Sequence, residues 1–228
     1  MMPQTSVLAP TQLRHVVAER LRTAIHAGEL KPGEWLRQEQ VAHKFGVSQM
    51  PVREALQDLV AEGLVEHVPY RGIRIIEFSL ADLVDLYAAR AFLEGLAARY
   101  AAPSITPEQL AQLNDLNDEM ERQRVKKDWA EYRQVNRRFH RLIYAASRHA
   151  YLIRTLDQMW NAFPTMMLGN FPATAARPIP QRGASDKQEH LEIIAALQAR
   201  NGARAERLMR AHIEESGRRI AAVLKAEK

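Results

Sequence analysis

A three-residue interruption, Gly46-Val47-Ser48, constrains this 228-residue chain more than any other feature. Before it, Gln38 to Phe45 carries Val41, Ala42 and Phe45 at helical spacing. After it, Val52, Leu56, Leu59 and Val60 recur on one face until Gly63. The glycine ends the first helix and Ser48 caps the second. Pro51 falls in the second helix's first turn, where a missing N–H does little harm. Two helices joined by so short a turn form a helix-turn-helix. A further helix is predicted upstream from Leu13, Val16, Val17, Leu21 and Ile25, closed by Gly28 and the turn Lys31-Pro32-Gly33. Downstream, Leu64–Val68 reads as a strand, Pro69-Tyr70-Arg71-Gly72 as a hairpin turn and Ile73–Ile76 as the return strand. The sum is a winged helix-turn-helix. Its last helix turns its apolar residues inward, leaving Gln49, Arg53 and Gln57 outward at spacing four. The N-terminal end of that helix, Ser48-Gln49-Met50, is the part that meets base edges in such a fold.

From Ser79 onward the pattern is almost wholly helical. Ser79 caps a helix bearing Leu83, Leu86, Leu93 and Ala97. Thr106-Pro107-Glu108 opens a second, and Asp128 opens a third that runs to about Ser147. Tyr151–Met167 reads as a fourth. A loop rich in Pro and Gly is expected over 169–184. Asp186-Lys187-Gln188-Glu189 has capping-box spacing for a fifth helix, and a sixth follows from about Ala203. The short connections imply antiparallel neighbours. The fold class is therefore mainly α: a winged helix-turn-helix over residues 8–76, then an antiparallel six-helix bundle over 79–226.

Composition removes several alternatives. The chain has no cysteine, which excludes disulfide scaffolds, thiolate zinc fingers, iron–sulfur clusters and a catalytic thiol. It has no apolar run long enough for a membrane span, and MMPQTSVLAP lacks a signal-peptide pattern, so a cytoplasmic location is expected. The net charge of +5 favours a polyanionic partner only weakly. Residues 1–76 hold nine Lys and Arg against eight Asp and Glu, a net of +1, so the placement of charge must decide.

Three histidines fall on apolar helix faces. His140 lies four residues after Asn136, His190 sits with Ile194 and Leu197, and His212 follows Leu208. Imidazoles from three helices can converge in a bundle, and three of them with one oxygen suit a divalent metal with open positions. Each can equally be an ordinary core histidine.

The run PGEWLRQEQVAHKFGVSQMPVREALQDLVAEGLVEHVPYRGIRI resembles the DNA-binding domain of GntR-type bacterial transcription regulators. RAFLEGLAARYA, NRRFHRLIYAAS, EHLEIIAAL and LMRAHI resemble the effector domain of the FadR branch, called FCD. Six effector helices point to its VanR-like subgroup. The resemblance implies a homodimeric regulator, most often a repressor, that reads double-stranded operator DNA with Arg37, Ser48, Gln49, Arg53, Arg71 and Gly72. Ser48 suits a phosphate, Gln49 and Arg53 the major groove, and Arg71-Gly72 at the hairpin tip the minor groove. Lys44 and Arg74 are read as solvated. Gln49 stands where the family often has Arg, so adenine replaces guanine as the natural partner. The resemblance also implies a metal held by His140, His190 and His212, with zinc first and nickel or manganese as alternatives. Asn136 stands where many relatives have a ligating Asp. Arg90 is implied as a clamp on a small organic acid effector; paired four residues on with Glu94, it can instead serve only the fold.

Two rival functions are a metal-dependent enzyme built on the three histidines and an architectural DNA binder with no effector. Against the first, no HExxH, nucleophile elbow or P-loop is present.

Overall fold

A computed structural model describes residues 10–27, 29–77, 79–165 and 182–225. The chain divides into two compact units, Met1–Phe78 with Asn161–Asn170, and Ser79–Trp160 with Phe171–Lys228.

The first unit contains α1 (Pro10–His26), β1 (Trp35–Leu36), α2 (Gln38–Phe45), α3 (Gln49–Ala61), β2 (Val65–Val68) and β3 (Gly72–Ile75). Gly46 closes α2 in the left-handed conformation at φ 65°, which lets its N–H reach back to Ala42 and His43. Val17, Leu21 and Ile25 of α1 are buried with Val52, Leu56 and Leu59 of α3, and Ile75 seals the same core. Two bidentate contacts fix α1 to α3 from outside: Arg14 holds Asp58 and Arg22 holds Glu62. The three strands are antiparallel in the order β1-β3-β2. β1 has no counterpart in the sequence reading. Two residues carry no periodicity, and only the pairing of Trp35 with Arg74 and of Leu36 with Ile73 defines the strand.

The second unit is built from α4 (Leu80–Ala101), α5 (Pro107–Lys126), α6 (Trp129–Ala146), α7 (Ala150–Thr165) as far as Trp160, α8 (Arg182–Gln198) and α9 (Gly202–Lys225). Capping explains three of the starts. Ser79 with Asp82 and Thr106 with Gln109 form reciprocal capping boxes, and the Asp128 side chain accepts from the Glu131 N–H. α4 and α9 pack closely. A Cβ on Gly217 would stand 2.7 Å from Cβ of Tyr87, so only glycine permits this approach.

One expectation is corrected here. Asp186 does not open a helix, because α8 is already helical from Arg182. Asp186 is buried and accepts a hydrogen bond from the Tyr132 hydroxyl at 3.1 Å. Its carboxylate is held by tertiary contact, so the capping-box spacing is coincidental. The expected loop at 169–184 falls largely outside the described residues.

Candidate nucleic-acid interface and metal centre

The basic residues of the winged unit divide into two kinds. Arg14, Arg22 and Arg74 are each tied to a carboxylate, Arg74 to Glu66 across the wing. Arg74, read from sequence as solvated, is thus ion-paired, with its guanidinium 5.8 Å from the Trp35 ring. Arg37, Arg53 and Arg71 are exposed and have no ion-pair partner among the described residues. Acids therefore tie down the arginines that brace the fold, while Arg37, Arg53 and Arg71 face outward without an ion pair among the described residues.

Their placement follows from the local fold. Arg53 and Gln49 are both exposed on α3, one turn apart, while Val52, Leu56 and Leu59 bury the opposite face. Ser48 occupies the N-cap of α3 in extended conformation, yet its side chain makes no cap hydrogen bond. Its hydroxyl and the first N–H groups of α3 remain available to an anion. Arg37 occupies the N-cap of α2, likewise without a side-chain cap. It lines a groove of about 550 Å³ together with Trp35, Gln38, His67, Arg71 and Gly72. Gly72 sits at φ 109° with open space around it, so backbone there can approach a partner closely. Lys44 is exposed, as expected.

In the helical unit, α6, α8 and α9 bring His140, His190 and His212 together. All three are buried, and one ring nitrogen from each lies within 4.8 Å of the others. The Nδ1 atoms point away from this centre. Nδ1 of His140 donates to Oε2 of Glu94 at 2.8 Å, and that of His212 donates to Oε2 of Glu189 at 2.6 Å. Nδ1 of His190 stands 3.1 Å from Oδ1 of Asn117, whose own Nδ2 donates to the Lys187 carbonyl. That second bond fixes the amide orientation, so His190 is the donor. With every Nδ1 donating to an oxygen, Nε2 is the ring atom that each imidazole turns toward the shared centre.

Glu94 is the hub. Its Oε1 accepts from Nε of Arg90 at 2.9 Å and from Nε1 of Trp160 at 3.2 Å, while Oε2 takes His140. Burial opposes its charge, but Arg90 and His140 outweigh burial and hold the carboxyl at about 2. Burial pushes His140 down to about 4, against the pull of Glu94, so its ring is neutral near pH 7. Arg90 is buried, its guanidinium 3.9 Å from the Trp160 ring centre and 5.0 Å from that of Tyr87. Asn136 is half-buried one turn before His140 on the same helix face. Sequence reasoning missed the roles of Glu94, Asn117 and Glu189 in orienting the imidazoles. No local signal marks them, since their partners lie 46, 73 and 23 residues away.

A winged helix with outward arginines that lack ion pairs among the described residues, carried on a chain with an all-helical domain, defines a DNA-binding transcription regulator. Residues 13–75 match the gntR family of bacterial regulatory proteins, and residues 85–215 match the FCD domain. Over 159 residues the chain is 31% identical to the HTH-type transcriptional regulator McbR of Escherichia coli, covering 70% of this chain and 72% of that one. It is 29% identical to a probable D-xylose utilization operon transcriptional repressor of Paenarthrobacter nicotinovorans, over 90% of this chain and 88% of the relative. It is 28% identical to the transcriptional repressor RspR of Escherichia coli, over 91% and 89%. The solved structure of Escherichia coli McbR/YncC superposes with a TM-score of 0.72 at 26% identity, over 96% of this chain and all of that one. The chain belongs to the gntR family and carries an FCD domain; it is a transcription regulator and not an enzyme. No described helix is long and apolar enough to cross a membrane.

Proposed function

We propose that the chain is a cytoplasmic, homodimeric repressor whose helical domain binds a divalent metal and a small organic acid, and that their binding alters its affinity for operator DNA. The DNA surface is Arg37, Ser48, Gln49, Arg53, Arg71 and Gly72. Gln49 and Arg53 take the major groove, Ser48 a phosphate, and Arg71-Gly72 the minor groove. Their exposure supports this reading, as does the absence of ion pairs at Arg37, Arg53 and Arg71 among the described residues. Repression is supported by relatives named as repressors. The six bundle helices among the described residues favour the VanR-like subgroup of the FadR branch. The domain limits in this reading are 8–76 and 79–226. For the dimer face we favour α4 and α7, since Val84 and Phe92 of α4 and Tyr151 of α7 are exposed apolar side chains.

One observation carries the metal reading: three buried imidazoles converge while an oxygen orients each opposite ring nitrogen. His140, His190 and His212 hold the ion, and Asn136 adds an amide oxygen. Three neutral nitrogens and an amide suit zinc first, nickel or manganese after it. A bound divalent ion supplies a Lewis-acidic position for a carboxylate oxygen. Glu94, Asn117 and Glu189 keep the imidazoles in register. Arg90 as a direct effector clamp is the part the geometry favours least, because its Nε is committed to Glu94.

Elemental analysis of protein purified without chelator tests the site. We expect about one ion per chain, lost when His140, His190 and His212 are all replaced. Full retention by the triple variant rejects the assignment. Metal-loaded protein, with and without a panel of organic acids, should then differ in its affinity for a promoter fragment.

A further inference from the structure

The tip of the wing carries a side chain that the fold does not use. The Arg71 N–H donates to the Val68 carbonyl at 3.1 Å, closing a turn over Pro69 and Tyr70. Tyr70 occupies its third position with φ 62°. A turn that opens on proline and needs positive φ at the next residue takes glycine or asparagine there, because a Cβ is strained in that region. Here the position holds a bulky aromatic. Its relative exposure is 107%, and it has no ring contact or hydrogen bond among the described residues. Strained backbone and a large exposed apolar ring both count against Tyr70 within the isolated fold. The two following residues are the exposed Arg71, without an ion pair, and Gly72, whose surroundings are open. Arg37 and His67 line the groove behind them.

We propose that Tyr70 is a DNA-contacting residue: its ring enters the minor groove beside Arg71 and packs against the sugar walls and base edges. The inference rests on the reading above, in which the wing docks in that groove. Arg71 brings charge and the pull toward phosphate. Tyr70 brings apolar contact area that depends on groove width, and so a preference among sequences. The positive φ holds the ring at the outermost point of the hairpin.

The test uses the full-length chain and a duplex that the wild-type protein selects from a random library. Tyr70→Ala should weaken binding to that duplex by about tenfold, equivalent to one apolar contact in the groove. Its salt dependence should match wild type, since no charge is lost, whereas Arg71→Ala should flatten the slope by about one counterion. Tyr70→Phe should bind within about twofold of wild type. Tyr70→Gly should bind as weakly as the alanine variant while melting no lower than wild type, because glycine suits the backbone at φ 62°. Wild-type affinity in Tyr70→Ala, with Arg71→Ala weakened, overturns the proposal and leaves wing docking standing. Wild-type affinity in both removes wing docking and the proposal together. A Tyr70→Phe variant as weak as Tyr70→Ala overturns the ring contact.

Discussion

His190 and His212 meet nitrogen to nitrogen: their Nε2 atoms stand 3.3 Å apart. Each ring's Nδ1 faces an oxygen, of Asn117 and of Glu189 respectively. With each Nδ1 donating to its oxygen, both Nε2 atoms turn toward the same point inside a buried site, where a shared cation would be coordinated by both. Zinc added to chelator-stripped protein should raise the melting temperature, with about 2.7 kcal/mol of stabilisation when free metal is a hundred times the dissociation constant. Differential scanning calorimetry reads this directly. The variant with all three histidines replaced should give one melting temperature with and without zinc. A wild-type protein that melts identically in EDTA and in zinc counts against the site.

Glu94 connects that centre to the fold. It orients His140, takes the Trp160 indole N–H and neutralises Arg90, all within the interior. Glu94→Gln leaves the Arg90 charge buried without its partner, a change that costs about 3 kcal/mol. It should also weaken metal binding by about 10- to 100-fold through loss of imidazole orientation. Urea titration and calorimetric titration with zinc measure the two effects separately. A double variant, Arg90→Met with Glu94→Leu, should recover part of the stability and none of the metal affinity. Full recovery of both would show that Glu94 serves only to balance Arg90.

The winged unit was legible because its signals are local. Gly46, Ser48 and Pro51 act within a few residues of one another, and the apolar spacing of Val52, Leu56 and Leu59 is the face that α3 buries. The three histidines were legible as a set on apolar faces, and the fold brings them together. What escaped depends on tertiary partners. β1 exists only through β3, and Asp186 is held by Tyr132 rather than by a helix start. The spacing of Arg90 and Glu94 allowed either an effector clamp or an internal ion pair. Only burial and the 2.9 Å contact establish that the pair forms.

Arg53 lies exposed on α3 with no ion-pair partner among the described residues. Its removal takes nothing from the fold that the structure records. Arg53→Ala should therefore keep the wild-type circular dichroism spectrum and melting temperature while losing about 1–3 kcal/mol of specific DNA affinity. Fluorescence anisotropy with the selected duplex and with random duplex gives the specificity ratio. Equal loss on both duplexes would assign Arg53 to phosphate rather than to a base edge.

Arg14 and Asp58 give the winged unit a pH dependence that can be read at equilibrium. Nε of Arg14 donates to Oδ2 of Asp58 at 2.7 Å, and a second contact joins Nη2 to Oδ1. The hydrogen bond from Arg14 holds the Asp58 carboxyl below its ordinary range, against the opposing effect of burial. A carboxyl whose folded value lies below the unfolded one of about 3.9 binds protons more readily when unfolded. Its stabilisation is thus complete well above that unfolded value and is lost as pH falls through the folded one. Asp58→Asn removes the ionisable group, so wild type should exceed the variant in urea midpoint at pH 7. The gap should narrow as pH falls below the unfolded value and close once pH lies below the folded one as well. Both side chains reach solvent, so the gap should also narrow in about 1 M salt. A gap that is the same at pH 2 and pH 7 would mean that Asp58 acts through packing and not through its charge.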